Sequence, residues 1–313
     1  MKPSELISLR NQLLRVNTTT AKDSLLAPHH TLSILLAAYP DDEDCKWIDQ
    51  LFGKTNHNLT LIDSVLDKRI EEIEEEICEQ SVKFIMEDNK HWTQHNVRFK
   101  TAEYNREFQK LPITNEAAAS VRSRIGFYTD WRFAGLEIGP GDGAWTQDLV
   151  ACDPLYLIDY NDECLTTTKN QFSEKYRNRL RCYTNRGEGL HMLPQDQFGF
   201  VFSWNTFNYF SFNQIGDYLK EIWKVLRPGG GCMFSYNNAE RPLCAQRAED
   251  HLMSYIPKSI LVDMIEGYGF EQIKTQDVDS TISWVEFRKP GDLMSQRTGQ
   301  TLGKIILTPH VEA

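Results

Sequence analysis

Three closely spaced glycines, Gly139, Gly141 and Gly143, constrain the fold of this chain more than any other feature. They follow a short apolar run at 133–138 and precede a helix-compatible segment at 144–151. Glycine allows a backbone turn with positive φ and lets a ligand lie against bare main chain. The pattern therefore predicts a parallel strand, a ligand-binding loop and a helix in succession, as in nucleotide-binding α/β folds.

The acid in front of this loop distinguishes between two kinds of nucleotide ligand. Glu137 lies two residues before Gly139, where a carboxylate would repel the pyrophosphate of a dinucleotide. A ligand with a sulfonium and an ammonium group tolerates a carboxylate there. A second predicted strand, 155–159, ends in Asp159, which lies 20 residues after Gly139. This is the usual interval for a carboxylate that binds both ribose hydroxyls. We therefore expect S-adenosylmethionine rather than a dinucleotide.

A further motif lies later in the chain. An amphipathic helix is predicted at 217–226, and the Arg-Pro-Gly-Gly-Gly run at 227–231 is a helix stop signal. Together with the Leu-Glu-Ile-Gly-Pro-Gly-Asp-Gly run at 136–143 and Asp159, this motif resembles the class I S-adenosylmethionine-dependent methyltransferases. The resemblance covers about residues 115–290. It implies methyl transfer from S-adenosyl-L-methionine, with S-adenosyl-L-homocysteine as the product.

The alternation of strands and helices from residue 133 predicts an α/β fold class. We expect a seven-stranded, mostly parallel sheet with helices on both faces and a C-terminal antiparallel hairpin edge, preceded by an all-α N-terminal region. The predicted strands are 133–138, 155–159, 180–184, 198–203, 231–236, 270–276 and 281–288. The predicted helices of this part are 115–126, 144–151, 161–178, 213–226 and 257–268.

The first 110 residues differ in character and predict a helical domain at 1–110. A methyltransferase domain is expected at 111–290 and a tail at 291–313. N-terminal helices are predicted at 4–14, 31–39, 43–52 and 59–88. In the longest, apolar residues recur at spacings of three and four, namely Leu59, Ile62, Leu66, Ile70, Ile73 and Ile77. This helix is interpreted either as an amphipathic helix packed on its own domain or as a coiled-coil element at 59–88 that forms a homo-oligomer.

The resemblance also implies which residues bind the cofactor. The candidates are Glu137, Gly139, Pro140, Gly141, Gly143, Thr146, Asp159, Tyr160, Gly187, Glu188, Ser203, Trp204 and Asn205. Glu137 would organise contacts to the methionine ammonium, and the glycines would give the cofactor room. Asp159 would bind the ribose, and Tyr160 and Glu188 would lie beside the adenine.

Acceptor candidates come from the segments after the fourth and fifth strands, because ligands bind at the carboxyl ends of strands in open α/β sheets. They are Asn208, Tyr209, Asn237, Asn238 and Arg241. Aromatic and amide side chains in this region suit a sugar-like or small aromatic acceptor, or a cation held by the faces of aromatic rings. The sequence does not identify the catalytic base, for which Tyr209 and His251 are the candidates.

Composition narrows the partners. The chain has 34 Lys and Arg against 44 Asp and Glu, a net charge of −10, which speaks against nucleic acid because phosphate binding needs clustered cations. No apolar run reaches the length of a membrane span, so we expect no membrane partner. The seven cysteines are scattered without a Cys-x-x-Cys pair, as is typical of a cytoplasmic protein. No ligand spacing indicates a metal, and we expect none.

These observations favour an S-adenosylmethionine-dependent methyltransferase that acts on a small-molecule acceptor, through O-methylation of a sugar or other metabolite hydroxyl. N-methylation of a small amine or a protein side chain is the first alternative. A non-catalytic S-adenosylmethionine-binding or oligomeric scaffold protein is the second, because Gly199 stands where many relatives have an acid. An NAD-dependent oxidoreductase is the third, and Glu137 speaks against it.

Overall fold

The computed structural model describes residues 1–16, 27–41, 46, 59–95, 113–185, 189–278 and 281–294. The helices are α1 (Pro3–Val16), α2 (Ala27–Ala38), α3 (Leu59–His95), α4 (Asn115–Tyr128), α5 (Asp162–Asn170), α6 (Glu174–Arg177), α7 (Phe212–Val225), α8 (Pro242–Glu249) and α9 (Lys258–Gly267). The strands are β1 (Ala134–Ile138), β2 (Leu155–Asp159), β3 (Leu180–Thr184), β4 (Phe198–Ser203), β5 (Leu226–Tyr236), β6 (Glu271–Asp277) and β7 (Ser283–Arg288). Short 3-10 turns lie at Thr146–Leu149 and Phe207–Tyr209.

The seven strands form one sheet in the order β3-β2-β1-β4-β5-β7-β6. The first five strands run parallel to one another, and β7 is antiparallel to both β5 and β6. The strand order reverses direction between β1 and β4, where adjacent loops leave to opposite faces and open a crevice for ligands. The α/β fold class and the antiparallel edge predicted from the sequence are confirmed.

Local sequence signals fix the position of α7 behind β4. The Ser211 hydroxyl accepts a hydrogen bond from the Gln214 backbone N–H at 3.3 Å, and the Gln214 side chain accepts one from the Ser211 N–H at 2.8 Å. This reciprocal pair satisfies two N–H groups of the helix end. Ile215, Leu219 and Ile222 are fully buried and share one face of the helix. The cap and the apolar face together set where the segment after β4 must end.

Both faces of the sheet are covered by apolar layers. Phe198 and Val201 of β4 belong to the layer under α7 and α9, whereas Phe200 and Phe202 belong to the layer under α4. Gly199 lies between them at a register irregularity, and a Cβ there would lie 2.7 Å from Cβ of Phe133. Close packing therefore explains this glycine, and its presence does not indicate a lost catalytic acid.

Three details differ from the predicted elements. The segment predicted as a helix at 144–151 forms only the 3-10 turn Thr146–Leu149, because the Thr146 side chain turns back to bind a buried carboxylate. The helix predicted at 161–178 is split into α5 and α6. The glycine run after α7 is not a separate turn but part of β5.

The helix α8 was not predicted. It begins at Pro242, whose missing N–H is tolerated in the first helical turn. The predicted helix at 43–52 lies outside the described residues except for Lys46, and the segment 295–313 of the predicted tail also lies outside them.

The apolar seam of α3 is buried within this chain. Its described members are 2 %, 8 %, 1 % and 8 % exposed and pack against α1 and the region around α8: Leu66, Ile70, Ile73 and Ile77. This is the amphipathic interpretation of the helix, and a second copy would have to use another face. Homo-oligomerisation through the N-terminal helices stays a prediction, as does the domain boundary at 110. None of the helices in the described parts of the chain has the length and apolarity to cross a membrane.

Candidate functional site

The glycine loop after β1 lies at the centre of the candidate site. Gly139, Gly141 and Gly143 have φ of +71°, +56° and +85°, a region that side chains disfavour. The Gly139 N–H donates to the Ile158 carbonyl of β2 at 2.7 Å, which fixes the loop on the sheet. A Cβ on Gly139 would lie 2.0 Å from Oγ1 of Thr206, so the segment after β4 packs directly on this loop.

The acid before the loop is deeply buried. Glu137 is 2 % exposed, and the Thr146 hydroxyl donates to its Oε2 at 2.7 Å. Burial raises the pKa of Glu137 to about 8, against which the Thr146 hydrogen bond acts, and the nearby Asp159 and Asp148 raise it further. The free protein therefore holds Glu137 mostly protonated at neutral pH. A cation placed beside it would favour the carboxylate.

The second acid is held by backbone amides at the end of β2. Asp159 is 5 % exposed, and it accepts hydrogen bonds from the Gly141 N–H at 3.1 Å and the Asn161 N–H at 2.9 Å. Burial raises the pKa of Asp159, whereas the backbone N–H groups of Asn161, Gly141 and Tyr160 lower it. A carboxylate offers about four acceptor positions. Asp159 can therefore still accept hydroxyl donors from a ligand.

These groups fit S-adenosylmethionine. A cradle of positive-φ glycines separates two buried acids, one of which can face an ammonium while the other accepts ribose hydroxyls. Tyr160 is half-buried beside Asp159, Pro140 is buried in the loop, and Gly187 and Glu188 lie outside the described residues. Asn185, at the end of β3, binds the Tyr218 hydroxyl at 3.3 Å and extends the polar lining from the β2 side.

The segment after β4 links this loop to the neighbouring strand β5. Ser203 donates to the Ile138 carbonyl at 2.7 Å, so the end of β4 is attached to the end of β1. Asn205 has φ of +56°, uncommon for a residue with a side chain. Its N–H donates to the Ser235 hydroxyl at 2.7 Å, which in turn donates to Oδ1 of Asn208 at 2.9 Å. A strained residue thus lies between the glycine loop and a buried polar network.

Five buried polar residues of these strand ends and of the loop after α8, which we call the polar cluster, are Asn205, Asn208, Tyr236, Asn237 and Ser254. Each of the five is at most 7 % exposed, and each has one buried polar atom without a hydrogen-bond partner among the described residues. The atoms are Asn205 Oδ1, Asn208 Nδ2, Tyr236 OH, Asn237 Oδ1 and Ser254 Oγ. Because buried polar atoms are nearly always paired, such a concentration needs an explanation. A polar ligand or ordered water at this place would supply the missing bonds.

Burial keeps the cluster neutral. It strongly raises the pKa of Tyr236, to which the nearby acids Asp277 and Glu240 also contribute, so the phenol stays protonated. The amides and the serine carry no charge. The cluster therefore offers neutral donors and acceptors and no buried ion.

Two further acceptor candidates hold structure around the cluster. Asn238 donates to Asp277 at 3.4 Å and accepts from the Glu240 N–H at 3.2 Å. Arg241 donates to the Ile282 carbonyl at 3.2 Å and to the Ser283 hydroxyl at 3.3 Å. Both residues therefore connect the start of α8 to the antiparallel edge of the sheet.

The remaining predicted residues have different surroundings. Trp204 is 7 % exposed and packs among aromatic rings, with centroids 5.3 Å from Trp145 and 6.2 Å from Trp284. Tyr209 is buried next to Asn208. His251 is exposed after the end of α8, with φ of +55°. Tyr209 is therefore buried and adjacent in the chain to a cluster residue, whereas His251 lies on the surface.

Sequence reasoning missed several residues of the site. Thr206 packs on Gly139, and the Thr168 hydroxyl donates to the Gly141 carbonyl at 3.0 Å. Ser254 reaches the cluster from the loop after α8, where its N–H donates to the Asn208 carbonyl at 2.9 Å. Polar residues at strand ends gave a signal for Thr206, but no local pattern distinguishes Thr168 or Ser254 from ordinary surface residues. Within the described ranges, no three His, Cys, Asp or Glu side chains are placed to hold a metal ion.

Comparison with known proteins adds a family match. Residues 136–230 match the model of a methyltransferase domain family. This segment contains Glu137, the glycine loop, Asp159 and β4. No curated protein matches the chain.

Several solved structures are similar to part of the chain. A "possible exported protein" from Bordetella parapertussis is 15 % identical, with 57 % of this chain and 69 % of that chain covered and a TM-score of 0.47. Phosphoethanolamine N-methyltransferase 2 from Haemonchus contortus, in complex with phosphomonomethylethanolamine and S-adenosylhomocysteine, is 12 % identical, with 56 % and 53 % covered and a TM-score of 0.44. The N-methyltransferase NodS from Bradyrhizobium japonicum is 16 % identical, with 56 % and 98 % covered and a TM-score of 0.43. The similar part spans about half the length of the Haemonchus enzyme.

Proposed function

We propose that this chain, whose residues 136–230 form a class I S-adenosylmethionine-dependent methyltransferase domain, methylates a hydroxyl group of a small neutral molecule. The single observation that carries the choice of acceptor is the polar cluster at the ends of β4 and β5. Its five atoms without a partner among the described residues are neutral and buried, and Thr206, which follows Asn205 in the chain, packs on Gly139 of the glycine loop. A sugar or another hydroxyl-bearing metabolite offers both donors and acceptors to such a surface.

The protein's share of this reaction is mainly binding and alignment. S-adenosylmethionine supplies an activated methyl group on a sulfonium, so the protein does not need to create a strong electrophile. We propose that Glu137 binds the ammonium of the methionine part, that Asp159 binds the ribose hydroxyls and that the glycine loop lets the ligand approach the main chain. Holding donor and acceptor in line supplies much of the rate enhancement in such a displacement.

On the acceptor side, Asn205 is proposed to orient the reacting hydroxyl. Its strained backbone and its unpaired Oδ1 lie directly after β4, next to the loop that holds the cofactor. Residues kept at sparsely populated φ values are concentrated at functional sites. The other cluster members, with Tyr209 beside them, would bind the remaining polar groups of the acceptor.

A hydroxyl acceptor must lose its proton during the transfer. Because burial raises the pKa of Tyr236, this phenol serves as a hydrogen-bond donor rather than a base. Tyr209 and His251 stay the proposed bases. Tyr209 lies next to Asn208, and His251 lies three residues before Ser254 on the exposed side of that loop.

The cofactor part of the proposal is tested by calorimetric titration with S-adenosylhomocysteine, S-adenosylmethionine and NAD. We expect both sulfur ligands to bind in the micromolar range typical of cofactor sites and NAD to show no heat. Binding of NAD alone would overturn the methyltransferase assignment. Binding of none would favour the scaffold alternative.

The acceptor part is tested by transfer of a labelled methyl group from S-adenosylmethionine to a panel of neutral sugars, polyols, phenols and primary amines. We expect label in the neutral hydroxyl compounds and loss of that label in Asn205→Ala. Preferential labelling of amines would retain the methyltransferase and overturn the hydroxyl acceptor. Tyr209→Phe and His251→Gln, compared across pH, identify the base.

We also propose a cytoplasmic location and no nucleic-acid or membrane partner. The six cysteines in the described parts of the chain form no disulfide bond there, and three of them are buried, in keeping with a reducing compartment. The net charge of −10 opposes binding to a phosphate backbone. Fractionation of the source cells and retention on immobilised nucleic acid at low salt would test these points.

A further inference from the structure

We propose that the N-terminal helices α1 and α3 position the acceptor side of the site and leave the cofactor side unaffected. The inference rests on the proposed function, because it assigns the polar cluster to the acceptor. Its physical content is a set of hydrogen bonds, joined by short stretches of backbone, that links the segment after β4 to the N-terminal helices. Ser4, Ser81, Glu249 and Tyr255 are its positioning residues.

The first part of this connection lies inside the cluster. Ser254 donates its N–H to the Asn208 carbonyl at 2.9 Å, and its own carbonyl accepts from Nδ2 of Asn237 at 2.9 Å. Asn237 also donates to the Cys244 carbonyl of α8 at 3.0 Å. The loop after α8 therefore sets the positions of two amide side chains that belong to different strand ends.

The second part connects that loop to α3. Tyr255 follows Ser254 directly, and its hydroxyl lies 3.0 Å from the Ser81 hydroxyl. The Tyr255 ring packs on Phe84, with ring centroids 4.9 Å apart. Tyr255 and Ser81 are 1 % and 5 % exposed, so this contact is closed to solvent.

The third part connects α8 to α1. Both carboxylate oxygens of Glu249 accept from Ser4, one from its N–H and one from its hydroxyl, each at 2.9 Å. Ala245 and Ala248 of α8 are buried in the same apolar layer as Leu6 and Leu9 of α1. The N-terminal helices thus contact the segment that carries Ser254 at both of its ends, at Glu249 and at Tyr255.

This arrangement explains how buried polar atoms stay open for a ligand. Unpaired amide groups would move to find partners if their backbone were loose, because each missing hydrogen bond is costly. The helices hold the backbone in place and so preserve the cluster for the acceptor. The cofactor acids Glu137 and Asp159 are instead held by Thr146 and by backbone amides of the sheet domain itself.

Hydrogen–deuterium exchange on the full chain tests the proposal with Tyr255→Phe, which removes only the hydroxyl at the Ser81 contact. We expect amide exchange in 205–209 and 250–256 to rise roughly fivefold, the effect of one lost buried hydrogen bond, with 139–161 unchanged. Tyr176→Phe is the control, because it also removes one tyrosine hydroxyl bond, to the Val150 carbonyl at 3.3 Å, in the segments that precede β2 and β3. It should leave 205–209 and 250–256 unchanged.

A second variant, Ser4→Ala, removes the hydroxyl bond to Glu249 and keeps the bond from the backbone N–H. It should raise exchange in 242–256 in the same selective way. Exchange that rises in 139–161 as much as around the cluster, or that rises nowhere, would overturn the proposal. S-adenosylhomocysteine affinity should stay within about twofold in both variants, whereas the KM for the best acceptor of the panel should rise several-fold. Failure of S-adenosylhomocysteine to bind the wild-type chain would instead count against the proposed function, since the exchange result does not depend on it.

Discussion

The ends of β1 and β2 and the ends of β4 and β5 solve different binding problems with different side chains. The first region holds two buried acids, and each accepts hydrogen bonds from a hydroxyl or from backbone amides. The second holds neutral amides and hydroxyls, five of which have an unpaired atom among the described residues. The two acids therefore already have hydrogen-bond partners within the protein. The polar cluster keeps atoms without a partner among the described residues, and on the proposed function these atoms are left for the acceptor.

The largest effect on the glycine-loop region is expected from Gly139→Ala. Its φ of +71° and the 2.0 Å approach to Thr206 Oγ1 leave no room for a methyl group, so the loop must move. We expect affinity for S-adenosylhomocysteine to fall by a factor on the order of 100 or more, together with a lower Tm. Calorimetry and thermal unfolding measure both.

Gly126→Ala is the control for this change. Gly126 lies within α4, and a Cβ there would have nothing within 4 Å. Alanine should raise helix stability by about 0.5–1 kcal/mol and leave ligand affinity unchanged. Equal loss of affinity in both variants would show that the loop conformation is not what binds the cofactor.

The next largest effect is expected from Asp159→Asn. The amide replaces one acceptor oxygen by a donor that faces backbone N–H groups, and the ribose loses a charged acceptor. A loss of about 2 kcal/mol in binding, or roughly thirtyfold in the Kd of S-adenosylhomocysteine, follows. The measurement is calorimetric titration.

The reverse exchange, Asn208→Asp, is the counterpart on the acceptor side. It adds a charge to a neutral, fully buried position and should lower the Tm while changing S-adenosylhomocysteine affinity by less than about twofold. If Asn208→Asp weakened cofactor binding as much as Asp159→Asn, the division into two regions would be wrong.

A smaller effect is expected from the protonation of Glu137. Because burial raises its pKa to about 8, the free protein carries a proton there at pH 7. A ligand ammonium favours the carboxylate, so binding of S-adenosylhomocysteine at pH 7 should release close to one proton. Titrations in buffers of different ionisation enthalpy measure this number, and Glu137→Gln should bring it near zero.

The same group affects stability with a definite sign. A folded-state pKa of about 8, raised above the ordinary 4.5, stabilises the folded protein below pH 4.5 relative to alkaline pH. This contribution is lost as the pH rises from about 4.5 through 8. The Tm of the wild-type chain should therefore fall relative to that of Glu137→Gln across this range. Parallel Tm curves for the two proteins would contradict the assignment.

The smallest effect is expected on stability, when a tyrosine hydroxyl with a hydrogen-bond partner and one without are removed in turn. Tyr236→Phe removes a buried hydroxyl that has no hydrogen-bond partner among the described residues, so it should stabilise the protein by about 1 kcal/mol. Tyr255→Phe removes a hydroxyl paired with Ser81 and should destabilise it by about the same amount. Urea unfolding compares the two variants, and methyl transfer should fall in Tyr236→Phe despite its higher stability. A loss of stability in both variants would show that the Tyr236 hydroxyl is paired in solution.

The glycine loop and its two acids could be predicted from the sequence because the residues that form them lie close together in the chain. Strand, glycine loop and Asp159 follow one another within a short stretch, and all strands from β1 to β7 were located to within a few residues except for the start of β5. The prediction of a helix at 144–151 was wrong. The Thr146 hydroxyl binds the buried Glu137, and this contact limits the segment to a short 3-10 turn.

Only part of the polar cluster could be predicted from the sequence. Asn208 and Asn237 were named as acceptor candidates by the rule that ligands bind at strand ends, whereas Asn205 was named as a cofactor candidate. Ser254 and the contact between Ser81 and Tyr255 join residues far apart in the chain, and nothing local marks them. The apolar seam of α3 could be predicted from the spacing of its residues, but the helices that cover it could not.

The burial of that seam has a consequence for experiments on shortened chains. Leu66, Ile70, Ile73 and Ile77 are covered by α1 and by the region around α8. Removing α1 would expose a row of apolar side chains on a long helix to water. Exposed apolar surfaces of this kind promote self-association. An oligomer that forms only after residues 1–16 are deleted would therefore be an artefact of truncation. The assembly state of this protein has to be measured on the intact chain.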